Sequence, residues 1–324
     1  MIIDFQAHFF RIEFMQLFEG RKDYPRLVRE QGRYKMYHGE GHGHLLDDEG
    51  SDMEARLRHM DEAGVDMQVL TPGPPAVYSL EKKDGVRASQ ELNDYLAEVI
   101  SKYPGRFAGL ATLPLQDTDE AIKELDRAIG ELRLHGLLIH SNLAGRSLDD
   151  PMLLPVYERA HELNIVIYIH PIYPLMANAM LEYGLLAKVG YMVDTSLAAL
   201  KLIYSGALEK FPRLKVIHPH MGAIIPYLME RIEAPTQVPS LDSKAKLAKT
   251  VRDYYNRIYT DSACQGAATF KFGYEFFGPD RIVFGSDYPF YMSGQIIQLV
   301  KGMGLPEEAE RKIFSENAKK LLKI

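Results

Sequence analysis

The chain has 324 residues, 46% of them hydrophobic and 25% charged, values typical of a globular protein with a sizeable core. The net charge of −6 is spread along the sequence, which disfavours nucleic acid and anionic membrane surfaces as partners. A single cysteine, Cys264, excludes an intrachain disulfide and favours a reducing compartment. No apolar run is long enough to span a bilayer and no leader pattern opens the chain, so we expect a soluble, cytoplasmic protein.

The first half of the chain alternates short apolar patterns, typical of strands, with longer patterns of helical period. Strands are predicted at residues 2–5, 65–70, 106–113 and 136–140. Ser51 and Glu54 form a capping-box pattern, which predicts a helix that ends at Gly64. Further helices are predicted at residues 88–103 and 117–132.

The same alternation continues to the end of the chain. Strands are predicted at residues 165–169, 214–217, 257–260 and 281–284, and helices at 150–163, within 178–211, at 224–232, near 243–255, at 263–277 and at 306–322. Eight strands alternating with helices predict a (β/α)8 TIM barrel of the metal-dependent hydrolase type, in one α/β domain over residues 1–324. Residues 9 to about 50 have weak periodicity, which predicts an insertion that acts as a lid.

Side chains that can bind a metal or transfer a proton stand at the ends of predicted strands, where parallel α/β proteins meet their ligands. Gln6 and His8 are two residues apart on an extended segment, so both leave the same face. His170 and Asp287 end two other strands. One histidine at a strand end is more often a hydrogen-bonded structural residue. The combination of imidazole and carboxylate groups instead favours a catalytic site for zinc or manganese.

A further corner follows the strand at residues 214–217, in the segment Val216-Ile-His-Pro-His-Met-Gly222. Its two histidines, His218 and His220, share a face if the segment stays extended, but the intervening Pro219 leaves this open. For His218 we favour packing or support of the site over direct chemistry.

Four short motifs resemble the motif series of the amidohydrolase superfamily: Asp4-Phe-Gln-Ala-His8, Ile169-His-Pro171, His220-Met-Gly222 and Gly285-Ser-Asp-Tyr-Pro289. Their order is most similar to the branch of aminocarboxymuconate semialdehyde decarboxylase and related aromatic-acid decarboxylases. The resemblance implies metal ligands at His8, His170 and Asp287. It also implies a catalytic histidine at His220, acting with Asp287 beside the metal.

Gln6 departs from that series, in which a histidine or a glutamate stands at its position. An amide oxygen is a weaker metal ligand than either. We expect Gln6 to be a weak fourth ligand. Two alternatives stay open: Gln6 stands away from the metal, or it marks a barrel whose catalysis is weakened or lost.

Three further residues are expected to contact the substrate. Arg231 follows His220 by eleven residues. At this spacing the resemblance implies an arginine that reaches the substrate carboxylate of a neighbouring subunit, and therefore a homodimer. Tyr173 and Phe290 follow strand ends and are expected to form aromatic walls, with core packing an equally good interpretation. Three histidines of the insertion, His38, His42 and His44, are also expected to touch substrate; they are separated by glycines, which give no fixed metal geometry.

These expectations favour a metal-dependent, non-oxidative decarboxylase of a small aromatic or unsaturated carboxylic acid. One divalent metal ion is expected, with zinc favoured and manganese allowed. No organic cofactor is expected, because the sequence has no phosphate-cradling glycine motif. The alternative is a metal-dependent hydrolase, a lactonase or amidohydrolase, in which Asp287 acts as the base. A third hypothesis, motivated by Gln6, is a binding protein without catalysis.

Overall fold

The computed structural model describes residues 1–46, 48–234 and 247–324, with the backbone alone for residues 48 and 49. The strands predicted from the alternation are all present in chain order. They are β1 (Ile3–Phe9), β2 (Met67–Pro72), β3 (Phe107–Ala111), β4 (Gly136–His140), β5 (Val166–His170), β6 (Lys215–Ile217), β7 (Thr260–Asp261) and β8 (Ile282–Val283).

The first six of these strands form one curled parallel sheet in the order of the sequence, β1 to β6. The last two, β7 and β8, form a separate parallel pair. Backbone hydrogen bonds join the pair to the sheet on both sides. Tyr259 N donates to Val216 O at 2.8 Å beside β6, and Phe5 N donates to Phe284 O at 2.8 Å beside β1. The predicted α/β class with a parallel sheet is therefore confirmed.

Helices follow the strands and cover the outside of the sheet. The longer ones are Met53–Ala63, Lys82–Lys102, Thr118–Gly130, Leu154–Leu163, Tyr191–Tyr204, Ile225–Glu233, Ala267–Phe277 and Ser293–Lys301. Shorter ones are Ile12–Gln16, Asp48–Ser51, Ala207–Lys210, Val251–Tyr255, Glu307–Arg311 and Asn317–Leu322. Across the described ranges, no helix combines the length and hydropathy that crossing a membrane requires.

Several predicted boundaries were wrong. The helix Met53–Ala63 is capped by Asp52, whose carboxylate accepts a hydrogen bond from Glu54 N at 2.8 Å, and not by Ser51. The helix Ser293–Lys301 was not predicted. The helix predicted near residues 243–255 is seen at Val251–Tyr255, and residues 243–246 lie outside the described residues.

Side chains alternate between two packed layers, as expected for a sheet covered by helices. The inner layer contains Phe5, Val69, Leu110, Leu138 and Tyr168, together with residues of the helix Asn317–Leu322. The outer layer packs the opposite faces of the strands against the surrounding helices. The carboxyl ends of the strands are thereby held at one edge of the sheet, where the candidate site lies.

The insertion between β1 and β2 contains a small antiparallel sheet of three strands, Arg26–Glu30, Arg33–Gly39 and His42–Leu45. Weak periodicity was the only sequence signal of this segment. Mixed polar and aromatic residues explain this, because the strands are mostly half-buried and have no purely apolar face.

Candidate active site

A β-bulge in β1 turns Gln6 and His8 toward the inside of the sheet. The register between β1 and β2 shifts between Asp4 and Ala7, which gives β1 one extra residue. An extra residue moves the alternation of side chains by one position. Phe5 packs in the inner layer while Ala7 packs in the outer one. Gln6 and His8 therefore face inward, and they lie within β1 rather than beyond the end predicted for it at residue 5.

His8, His170 and Asp287 meet at this edge of the sheet. Each of these buried residues offers one potential ligand atom, and the three atoms lie within 4.8 Å of one another. His8 Nε2 lies 3.0 Å from Asp287 Oδ1. The rings of His8 and His170 are 4.3 Å apart between centroids. The structure thus brings together the three residues for which the motifs implied metal ligands.

Neighbouring groups hold His8 in place. The Thr71 hydroxyl lies 2.8 Å from His8 Nδ1, on the side of the ring opposite to Asp287. The buried guanidinium of Arg56 donates to the backbone oxygen of His8 and, at 3.0 Å, to Gln68 Oε1. Such outer contacts fix the ring orientation of a histidine that binds a metal.

Gln6 lies directly beside this group. Its Nε2 donates to Asp287 Oδ1 at 2.9 Å, the same oxygen that His8 approaches. Its Oε1 is buried and has no hydrogen-bond partner among the described residues, and the same holds for His170 Nδ1. Unpartnered buried polar atoms are unusual in folded proteins. Two imidazoles, a carboxylate and a free amide oxygen are the donor set of a divalent first-row metal, so the residues fit such an ion.

The carboxylate of Asp287 is the electrostatic centre of the site. Burial alone would raise its pKa, but the nearby imidazoles of His220 and His8 outweigh burial and hold the pKa well below the usual range. Burial lowers the pKa of His170 well below its usual value. At neutral pH the site therefore has an ionised carboxylate facing a neutral imidazole, the protonation states that bind metals.

His220 approaches Asp287 from the corner after β6. Its Nε2 lies 3.9 Å from Asp287 Oδ2. Its backbone has a positive φ of +58°, in the left-handed region. Met221 (φ +53°) and Ala223 (φ +51°) also have a positive φ, and Ala223 combines it with a ψ of −114°. Each such residue costs about 1–2 kcal/mol relative to a right-handed conformation. The segment is therefore not extended after Pro219, which is why its two histidines separate.

His218 points away from the metal-binding group. It is buried, and its Nδ1 lies 2.7 Å from the hydroxyl of Tyr255. Burial lowers its pKa to about 3, so the ring is neutral. His218 is therefore not part of the cavity lining that the described residues form, and its packing or supporting role stays a prediction.

A cavity of about 690 Å³ opens above this group, a size ordinary for a small-molecule site. His170, His220 and Asp287 form part of its lining, and Phe290 and Tyr291 add aromatic faces. Polar groups from other segments complete it: Lys188, Tyr191, Cys264, Gln265 and Thr269.

The insertion supplies the opposite wall through His38, His42 and His44. His38 Nε2 lies 2.9 Å from His44 Nδ1, and His42 Nε2 lies 2.5 Å from the hydroxyl of Tyr191. Burial and the neighbouring histidines lower the pKa of His44 to about 4, and burial also lowers that of His42. The insertion thus lines the cavity with three imidazoles, one of which, His42, contacts the helix Tyr191–Tyr204.

The predicted substrate contacts fall in different places. Phe290 lines the main cavity, with its ring 6.0 Å from that of His8. Tyr173 instead lines a neighbouring cavity of about 460 Å³, which shares His38 with the main one. Arg231 lies on the exposed side of the helix Ile225–Glu233, away from the main cavity of its own chain.

Sequence reasoning missed Asp261, although a usable signal was present. Asp261 ends β7, so it has the same strand-end position that identified His170. Its carboxylate accepts a hydrogen bond from His220 N at 2.8 Å. Tyr191 was also missed, and it lies in a helix with no motif to distinguish it.

A family model described as Amidohydrolase matches residues 3–324, nearly the whole chain. The chain belongs to this amidohydrolase family. A 2-amino-3-carboxymuconate-6-semialdehyde decarboxylase from Dictyostelium discoideum is 33% identical to this amidohydrolase over 281 residues, which cover 84% of the chain and 76% of the relative. The predicted branch of the superfamily is therefore confirmed.

Solved structures of decarboxylases resemble this amidohydrolase over its full length. A crystal structure of 5-carboxyvanillate decarboxylase from Sphingomonas paucimobilis has a TM-score of 0.89 and 27% identity, covering 100% of this chain and 99% of that one. A dihydroxybenzoic acid decarboxylase from Polaromonas sp. JS666, with bound manganese and the inhibitor 2-nitroresorcinol, has a TM-score of 0.83 and 28% identity, covering 99% and 96%. These three similar proteins are named decarboxylases, and the Polaromonas structure contains manganese.

The position of Gln6 beside Asp287 predicts that a stronger ligand at residue 6 raises the metal affinity of the protein. Gln6→His should bind zinc or manganese more tightly than the parent, by about 10-fold or more, because an imidazole nitrogen replaces a weak amide donor beside Asp287. Competition with a chelator of known affinity measures the change. Weaker binding than the parent would show that the side chain at position 6 does not reach the metal.

Proposed function

We propose that this amidohydrolase is a metal-dependent, non-oxidative decarboxylase of a small aromatic carboxylic acid. One observation carries the proposal: His8, His170 and Asp287 converge within 4.8 Å, and His170 and Asp287 line a cavity of 690 Å³. The decarboxylases that resemble the chain, including the manganese-bound one from Polaromonas, support both the reaction and the substrate class.

In this proposal His8, His170 and Asp287 hold the metal, with Gln6 as a weak further ligand. A bound divalent ion would anchor the substrate through its carboxylate or an adjacent oxygen and withdraw electron density from the carbon skeleton. Phe290 contributes an aromatic face against which the substrate ring packs.

Loss of CO₂ breaks the bond between the ring carbon and the carboxyl carbon, and the bonding electron pair stays on the ring carbon. A proton must replace the carboxyl group there. We assign its delivery to the imidazole of His220, oriented by the ionised carboxylate of Asp287, and this is supported by their separation of 3.9 Å and by the position of both in the cavity lining. Nothing in this step needs an oxidant or an organic cofactor.

We also propose that the chain is a single closed (β/α)8 barrel with a lid. The hydrogen bonds that link β7 and β8 to both ends of the curled sheet support a closed (β/α)8 barrel. The outer layer of core residues, which runs through the whole described chain, supports one domain over residues 1–324. The histidines that the insertion contributes to the cavity wall support its role as a lid over residues 9 to about 50.

Metal identity and location are further proposals. Zinc stays our prediction from the ligand types, whereas the manganese in the Polaromonas structure supports manganese as the alternative. The free, buried thiol of Cys264, the only cysteine in the sequence, supports a cytoplasmic location.

We also propose a homodimer in which Arg231 reaches the partner's substrate. The carboxylates nearest to Arg231 along the helix belong to Glu230 and Glu233. Both form ion pairs with Arg252 instead, at 2.5 and 2.9 Å. On the same helix Tyr227 is 81% exposed, an unusual position for so large an aromatic side chain. A guanidinium that is free of its neighbouring carboxylates can grip a substrate carboxylate through two parallel hydrogen bonds.

Mixing two inactive variants tests the shared site. His220→Ala and Arg231→Ala, co-incubated until their subunits exchange, should regain up to about a quarter of the parent activity, because some heterodimer sites receive both intact residues. Arg159→Ala, which removes an arginine that pairs with Asp126 and Glu162 on the helix Leu154–Leu163, should stay active alone. A fully active monomer in sedimentation, or no recovery after verified exchange, would exclude the shared site.

The reaction itself is tested by screening CO₂ release from aromatic and enoic acids with protein loaded with zinc or manganese. At least one hydroxylated aromatic acid should be decarboxylated only when the metal is present. Metal-loaded protein that opens lactones or amides, with no release of CO₂ from any acid, would favour the hydrolase alternative.

A further inference from the structure

Asp261 is a buried carboxylate to which the proposed reaction assigns no role, and it is 0% exposed. Its Oδ1 accepts hydrogen bonds from the backbone N–H groups of His220, at 2.8 Å, and Ala263, at 3.0 Å. Its other oxygen, Oδ2, accepts from the hydroxyl of Tyr168. One side chain thus joins β5, β7 and the corner that follows β6.

The contact with His220 matters because of the conformation of that corner. His220 is left-handed at φ +58° and ψ +50°, and the next residue, Met221, is left-handed as well. A backbone turned in this way leaves the parallel ladder, so its N–H needs an acceptor elsewhere. The carboxylate of Asp261 provides it, and a carboxylate accepts more strongly than a neutral oxygen.

Packing around Asp261 keeps its carboxylate fixed. A Cβ atom placed on Gly285 would lie 3.0 Å from Asp261 Cβ and 3.2 Å from Gln6 Cβ. The backbone of Gly285 therefore packs closely against one side of the Asp261 side chain. Tyr168 lies two residues before His170 on the same face of β5, which ties the carboxylate to the strand that carries a candidate metal ligand. Asp261 is not part of the cavity wall that the described residues form.

We propose that Asp261 is a positioning residue that holds the backbone of His220 in its left-handed conformation, so that the imidazole faces Asp287. This inference rests on the proposed function, in which His220 delivers the proton to the ring carbon. Asp261 has no direct contact with substrate in this arrangement. Its effect on turnover passes through His220.

A double-mutant cycle separates positioning from a general structural role. On an acid that the parent decarboxylates, Asp261→Ala should lower kcat about 10–100-fold with metal content unchanged, because a displacement of about 1 Å has an effect of this size. In the His220→Ala background the same substitution should change kcat by less than about twofold, since the residue it positions is gone. Asp261→Asn keeps an oxygen that can accept from His220 N and should stay within about fivefold of the parent.

The matched control is Glu124→Gln, which alters another buried carboxylate, bonded to Asn93 and Arg127 on the outside of the sheet. It should lower the unfolding temperature without lowering kcat. If Asp261→Ala does not fold, Asp261→Val replaces it in the cycle. A readout independent of turnover is the ring signal of His220 in protein labelled with ¹⁵N-histidine, which should move in the Asp261 variant and stay unchanged in Glu124→Gln.

The outcomes distinguish the inference from the function on which it rests. If His220→Ala is as active as the parent, the proposed role of His220 fails. If His220→Ala lowers kcat as expected but the losses multiply in the double variant, or if the His220 signal does not move, positioning by Asp261 is excluded while the proposed reaction stands.

Discussion

His170→Ala should purify with almost no bound metal, compared with about one ion per chain in the parent, and should lose turnover by about 10³-fold or more. His170 is one of three strong ligand candidates within 4.8 Å of one another, so its loss leaves only His8 and Asp287 as strong donors. Elemental analysis of protein dialysed against metal-free buffer measures the first effect, and an assay with restored zinc or manganese measures the second.

His161→Ala is the matched control for this substitution. His161 lies on the helix Leu154–Leu163, outside the sheet, where its Nδ1 accepts a hydrogen bond from Arg213 N. The control should keep its metal and its activity. A double His8→Ala, His170→Ala variant that still holds one ion per chain would exclude the metal site.

His220→Ala should keep the fold and the metal while kcat falls by about 10²–10⁴-fold, the usual range for a lost general acid or base. His220 Nε2 is 3.9 Å from Asp287 Oδ2 and lines the cavity, and the variant keeps all three candidate ligands, His8, His170 and Asp287. Steady-state kinetics and metal analysis of the same preparation give both quantities.

His218→Ala is the companion measurement, because His218 lies two residues earlier and points the other way. It loses a buried contact with the Tyr255 hydroxyl, so we expect a loss of stability of about 1–3 kcal/mol and a much smaller loss of turnover. Equal losses of kcat at both positions would mean that the functional histidine of this corner has been misassigned.

The parts of the structure that were predictable from sequence are those with a strong local pattern. Most of the strands lie in short apolar runs, such as Gly136–His140 and Val166–His170, so their order along the chain followed from periodicity. The site could be anticipated because His170 and Asp287 stand where such runs end, and strand ends meet at one edge.

What could not be predicted depends on contacts between distant residues. The sequence Phe-Gln-Ala gives no local sign of the bulge in β1. The bulge is defined by the register of β1 against β2, and this register makes Gln6 face inward. The left-handed turn begins at His220, two residues before its glycine, Gly222, and is supported by Asp261 from another strand. The antiparallel sheet of the insertion lacks a clean apolar alternation, because its strands include the histidines that line the cavity.

The most direct measurement is the mass balance of one turnover, carried out with metal-loaded protein in H₂¹⁸O and, separately, in D₂O. A decarboxylase should release one CO₂ for each acid consumed and leave one solvent deuterium on the ring carbon that held the carboxyl group, with no ¹⁸O in the organic product. The metal-free protein should fail to do this at a measurable rate, and His220→Ala should do it about 10²–10⁴-fold more slowly than the parent. A product that keeps every carbon of the substrate and gains ¹⁸O, without CO₂, would contradict decarboxylation and assign hydrolysis to the site.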